Sequence, residues 1–110
     1  NEEKLKVFQL SDMVKGWFIG NFSPTLYRTN DVEVAIKSYK KGSTENSHYH
    51  KLATEFTVII EGKVRMSGQI LTPGAIVKID PFVVTDFEAL TDVTTVVVKL
   101  PGANNDKYEE

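Results

Sequence analysis

Two histidines one residue apart, His48 and His50, are followed five positions later by Glu55, and a glycine stands at each end of the run, Gly42 and Gly62. In a strand successive side chains point to opposite faces, so His48 and His50 project together while Tyr49 between them points away. Two imidazoles on one face make half of a metal site. The four-residue gap before Glu55 is long enough for the chain to bend and re-enter as a strand, which would bring a carboxylate oxygen to the same point. Imidazole plus carboxylate suits a first-row divalent ion. The chain has no cysteine, so thiolate ligands, cysteine nucleophiles and disulfides are excluded. One divalent ion held by nitrogen and oxygen is the expectation, with Fe(II), Mn, Ni, Co, Cu and Zn all open.

From Gly42 to Gly62 the residues read G-S-T-E-N-S-H-Y-H-K-L-A-T-E-F-T-V-I-I-E-G, and they match G-x5-H-x-H-x4-E-x6-G, the first motif of the cupin family, at every fixed position. The chain therefore resembles a cupin. The family's second motif pairs a Pro-Gly turn with a third histidine further on. Here Pro73-Gly74 is present, but the histidine's place falls at Thr85, followed by Asp86 and Phe87. The resemblance runs from Gly42 to about Phe87 and implies an all-β double-stranded β-helix, or jelly-roll barrel, with the metal inside it. It also implies a homodimer, because cupins usually pair through an edge strand or a swapped N-terminal strand.

Thr85 and Asp86 compete for the place of the absent histidine. Val83, Thr85, Phe87 and Ala89 are the more apolar alternate set, which predicts Thr85 facing inward and Asp86 outward; a β-bulge near Pro81 would reverse this. With Asp86 turned in, the site has two histidines and two carboxylates. Otherwise His48, His50 and Glu55 form a two-histidine, one-carboxylate face with open positions for water, oxygen or a chelating ligand. Glu55 shares its parity with Thr57 and Ile59, the set expected to look into the barrel, where an uncompensated carboxylate is costly. Trp17, Phe18, Phe22 and Tyr27 are packing residues or the lining of the barrel mouth, and Lys63 and Arg65 share one strand face.

Turn residues recur every 8 to 12 residues or so, the spacing of a sandwich or barrel, and about eight short strands are expected with few helices. Lys4 to Leu10 and Trp17 to Phe22 read as strands around a turn or short helix, Ser11 to Gly16. Asp31 to Tyr39 alternates, with Val32, Val34 and Ile36 expected on the buried face and Glu33, Lys37 and Tyr39 on the wet one. Phe56 to Ile60 and Lys63 to Met66 read as a hairpin about Glu61-Gly62. Ala75 to Ile79, Phe82 to Leu90 and Val93 to Leu100 follow as strands, broken at Asp80-Pro81. The last of these is apolar on both faces and is expected to be central. The polar tail, Pro101 to Glu110, is expected to fray or lie on the surface.

A chain of 110 residues fits one domain, here residues 1–110, and at that length roughly two thirds of the unfolded surface can be buried. The net charge of −2, with 13 basic and 15 acidic residues, gives no basic stripe for nucleic acid. No apolar run approaches the roughly 20 residues that cross a bilayer as a helix. Absence of cysteine is compatible with the cytoplasm, and the sequence opens on Asn1, which leaves room for a leader or a neighbouring domain. The functional expectation is a metal-binding cupin of undetermined activity that takes a small oxygen-rich ligand of sugar or keto-acid type. Isomerase, lyase and dioxygenase chemistry are all compatible with such an ion. Two alternatives are a metal-independent nucleotide-sugar isomerase or epimerase, with a histidine as general base, and a non-catalytic ligand-binding module.

Overall fold

Alternating β-branched residues separated by turn residues cannot bury an apolar face alone, and in the computed structural model, which describes residues 4–110, they pair into two antiparallel sheets. The strands are β1 (Trp17–Ile19), β2 (Glu33–Tyr39), β3 (Thr44–Tyr49), β4 (Thr54–Glu61), β5 (Val64–Met66), β6 (Gln69–Leu71), β7 (Ile76–Ile79), β8 (Thr85–Ala89), β9 (Val93–Leu100) and β10 (Tyr108–Glu109). A single 3-10 turn, Leu10–Asp12, is the only helical element among the described residues, so none of their helices is long and apolar enough to cross a membrane. One sheet has the order β1-β2-β9-β4-β7 and the other β10-β3-β8-β5-β6. From β2 to β5 and from β6 to β10 every connection changes sheet, which is the winding of a jelly roll.

The centre of the first sheet is β9, as its two apolar faces require. It is in register with β2 from Glu33↔Lys99 to Tyr39↔Val93, and with β4 on its other side. Inner faces change character along each strand. On β9 the inward residues pass from Val93 through Thr95 and Val97 to Lys99; on β4 they pass from Ile59 through Thr57 to Glu55. One end of the molecule is consequently an apolar core of Ile59, Val64, Met66, Ile79, Phe87, Ala89 and Val93. The other end is a polar-lined cavity.

Four expectations are corrected. First, β2 faces the opposite way: Glu33 and Ala35 are the buried pair, Lys37 and Tyr39 turn inward with them, and Val34 and Ile36 face out. The outer face is apolar because the segment around Leu10 to Gly16 lies over it, with Ile36 N–H donating to Gly16 O at 3.1 Å. Second, Glu61-Gly62 is a corner between sheets and not a hairpin, since β4 pairs with β7 and β9 whereas β5 pairs with β6 and β8. Gly62 has φ +87°, and a Cβ there would stand 2.1 Å from Asp92 O, so the position needs both the left-handed conformation and the missing side chain. Third, residues 4–9 form no strand; Leu5 is 95% and Val7 79% exposed, and apolar alternation without a hydrogen-bonding neighbour makes no ladder. Fourth, the tail is anchored. Tyr108 and Glu109 pair with Tyr49 and His48 of β3, and Asp106 is buried.

Candidate metal centre

The last residues of β3 carry the first histidine into the cavity, and the chain leaves the sheet at the second. His48 and His50 are 7% and 3% exposed. Tyr49 points to the opposite side, where it stacks between Phe82 and Tyr108. The chain then turns through Lys51, Leu52 and Ala53 and re-enters as β4, whose second residue, Glu55, faces inward. Its Oε1 lies 3.4 Å from His50 Nε2, and its Oε2 accepts the Thr57 hydroxyl at 3.0 Å.

The turn between them is built on a residue from the far end of the chain. Asp106 Oδ1 accepts the N–H of Lys51 at 3.0 Å, Oδ2 that of Ala53 at 3.0 Å, and the Leu52 N–H reaches both. Burial pushes the Asp106 carboxyl up, but these amides, with His50, outweigh it and hold the group below the usual aspartate range. The main-chain oxygen of Asp106 accepts His50 Nδ1–H at 2.7 Å, and Asn46 O accepts His48 Nδ1–H at 2.8 Å. A carbonyl oxygen can only accept, so both rings have a settled orientation with Nδ1 as donor.

In a neutral ring this leaves Nε2 as a lone pair. His50 Nε2 then faces another acceptor, Glu55 Oε1, and two acceptors at 3.4 Å require a proton or a cation between them. Donors about 2.1 Å from one ion, at angles near those of octahedral or tetrahedral coordination, stand roughly 3.0–3.4 Å apart, so the pair suits a shared ion. With a proton bridging the pair, burial raises the Glu55 carboxyl, yet the hydrogen bond and charge of His50, the charge of Lys99 and the Thr57 hydroxyl together bring it below its ordinary value, which keeps it anionic. His48 stands off, its ring centroid 5.7 Å from that of His50 and nearly perpendicular to it. Among the described residues no three His, Asp or Glu side chains are already gathered closely enough to enclose an ion.

Thr85 and Asp86 fall as the apolar parity predicts. Thr85 is 7% exposed, lies opposite His48 in the β3–β8 ladder, and donates its hydroxyl to Asp86 O while accepting from Ser67. Asp86 is exposed at the edge of the cavity, where its Oδ1 accepts the Ser67 N–H at 2.8 Å. That carboxylate holds the β5–β6 turn.

The cavity measures about 240 Å³ and brings Trp17, Lys37, Tyr39 and Lys99 to the same space as the two histidines and Glu55. Of the aromatic residues read as candidates for the mouth, Trp17 takes that place, packed edge-on against Phe22, while Tyr27 is exposed. Sequence reasoning missed Asp106 and the two lysines. The turn-rich Asn104-Asn105-Asp106 marks a residue suited to accept backbone N–H groups, but its partners lie 53 to 55 positions away.

No family model matches the chain, and no curated protein does. Solved structures do. An uncharacterised protein with a double-stranded β-helix domain from Klebsiella pneumoniae subsp. pneumoniae MGH 78578 is 20% identical, with a TM-score of 0.71 over 94% of this chain and 90% of that one. KdgF from Halomonas sp. is 18% identical, with a TM-score of 0.63 over 70% of this chain and 74% of that one. This chain has the cupin fold. A third structure, the oxalate decarboxylase of Bacillus subtilis, described with Mn(II) centres, is 17% identical with a TM-score of 0.64 over 74% of this chain. This chain spans 24% of that protein's length. At such identities the likeness is one of fold.

Proposed function

We propose that this cupin binds one divalent metal ion through His48, His50 and Glu55, and receives a small oxygen-rich ligand, of the sugar or keto-acid type, at the coordination positions left open. The observation that carries the reading is the fixing of both imidazoles. Each has its Nδ1–H committed to a backbone carbonyl, the usual outer contact of a metal-bound histidine, and Nε2 is left for an ion. His48 completes the set by moving toward the His50–Glu55 pair. Thr85, with its hydroxyl already engaged, and Asp86, held by Ser67, lie beside this set and are not assigned to it.

A bound ion would supply Lewis-acid or redox chemistry. The chain's own residues shape what enters: the histidines, Glu55, Trp17, Lys37, Tyr39 and Lys99 line a cavity of about 240 Å³, which suits a ligand of a few carbons. Elemental analysis of protein prepared without a histidine tag or chelator tests the proposal. About one equivalent of ion is expected, and His48→Ala/His50→Ala should lose it. Retention by the double variant, or a wild-type protein that takes up none when offered each of the six metals, overturns it. In a substrate screen, turnover abolished by His48→Ala would mark an enzyme, and no turnover by the wild type would leave a binding module.

A homodimer is also proposed. Leu5, Val7 and Phe8 are 95%, 79% and 56% exposed in the segment before β1, an apolar arm that the other described residues leave largely uncovered.

A further inference from the structure

The cavity holds a second set of charged groups beside the histidines and Glu55. The inverted face of β2 turns Lys37 inward, where its Nζ lies 5.6 Å from the centroid of Trp17 and 5.8 Å from that of Tyr39. Lys99 Nζ lies 5.1 Å from the same Trp17 ring. The two ammonium groups differ in their partners. Lys99 stands 4.0 Å from Glu33 Oε1, whereas among the described residues no carboxylate is within 4.0 Å of Lys37. Burial is the largest influence on Lys37 and pushes its ammonium below the ordinary lysine range; Glu45 and Glu55 draw it up, and Lys107 and Lys99 push it further down.

A half-buried cation with no anion in contact is unfavourable, and ring faces close to the outer limit of a cation–π contact, about 6 Å, offset only part of that. An anion from outside relieves this, because the attraction grows as water is excluded. The walls are already in place: Tyr39 packs on Phe87 at 4.4 Å between centroids, and Trp17 is held by Phe22.

We propose that Lys37, with Lys99 across the Trp17 ring, forms an anion subsite, and that the ligand of this cavity is a small carboxylic acid. The subsite rests on the metal reading only for the ligand's other end, where an oxygen beside the carboxylate faces the ion.

Trp17 is the sole tryptophan and reports on the site directly. Its emission would be titrated with malonate, pyruvate, inorganic phosphate and the neutral malonamide, on metal-free and on zinc-loaded protein. Both carboxylates should give a saturable change and malonamide none. Lys37→Met should weaken malonate binding about 10- to 100-fold, the worth of one charge-assisted hydrogen bond, with metal content unchanged. The surface variant Lys63→Met should bind as wild type. Lys37→Arg, which stays charged, should keep its affinity to about pH 10 while the wild type weakens, and this arm decides the matter if Lys37→Met does not fold.

Equal binding by Lys37→Met, parallel pH profiles for wild type and Lys37→Arg, or equal binding of malonamide overturns the proposal. Phosphate binding more tightly than either carboxylate overturns the ligand class. If the wild type holds no metal but carboxylates still bind through Lys37, the metal reading fails and this one stands; if metal is present and Lys37 is indifferent, the reverse holds.

Discussion

Asp106 connects the most distant parts of the site. One carboxylate receives three consecutive amides, and the main-chain oxygen of the same residue orients His50. Asp106→Asn puts an NH2 group where only acceptors fit, and should lower stability at neutral pH by about 1.5–3 kcal/mol in urea unfolding. Because folding depresses this carboxyl, its contribution is fully present above the ordinary aspartate value, about 3.9, and disappears as pH falls through the lower folded value. The difference between wild type and Asp106→Asn should thus stay constant from neutral pH down to about pH 5 and narrow below it. Metal affinity in the variant should drop about 10- to 100-fold, as on loss of an outer contact. An unchanged urea midpoint would show that the tail does not hold the turn.

At the scale of elements, corners matter as much as ladders. The β4–β5 corner passes the chain from one sheet to the other, and Gly62 packs against the backbone of the β8–β9 corner at Asp92. Gly62→Ala meets both a left-handed φ and a backbone oxygen, and should cost about 1–3 kcal/mol, read as a lowered melting temperature with the fold retained. Gly42→Ala is the internal comparison. It shares the strained sign of φ, +90°, but its Cβ would meet nothing within 4 Å, so its loss should be the smaller of the two. A larger loss at Gly42 would contradict the close approach assigned to Gly62.

For the whole molecule, the arm before β1 and the two-ended barrel set the expectations. Leu5→Ser/Val7→Ser/Phe8→Ser should convert a dimer to a monomer in size-exclusion chromatography with light scattering, with little change in monomer stability, since these side chains contact little else. A wild-type protein that is monomeric at every concentration would remove the homodimer proposal. The barrel itself has its apolar core at one end and a charged cavity at the other, so the same inward face that holds Ile59 also presents Glu55.

Much of this was legible in the residues alone. Turn spacing and alternation gave an all-β chain with β9 central, and the run from Gly42 to Gly62 gave the cupin resemblance. Parity placed Thr85 inward and Asp86 outward, because β8 keeps strict alternation. Strand parity does not say which face is the interior, however. On β2 the outward-facing Ile36 is covered by residues 10–16, and the inward set of Glu33, Lys37 and Tyr39 brings Lys37 and Tyr39 to the cavity. Whether Glu61-Gly62 closes a hairpin or turns a corner depends on which strands are hydrogen-bonded, and those partners come from β7, β8 and β9. The role of Asp106 depends on bonds spanning 53 to 55 residues. Local chemistry is written in neighbouring residues, and long-range pairing decides which way it faces and what anchors it.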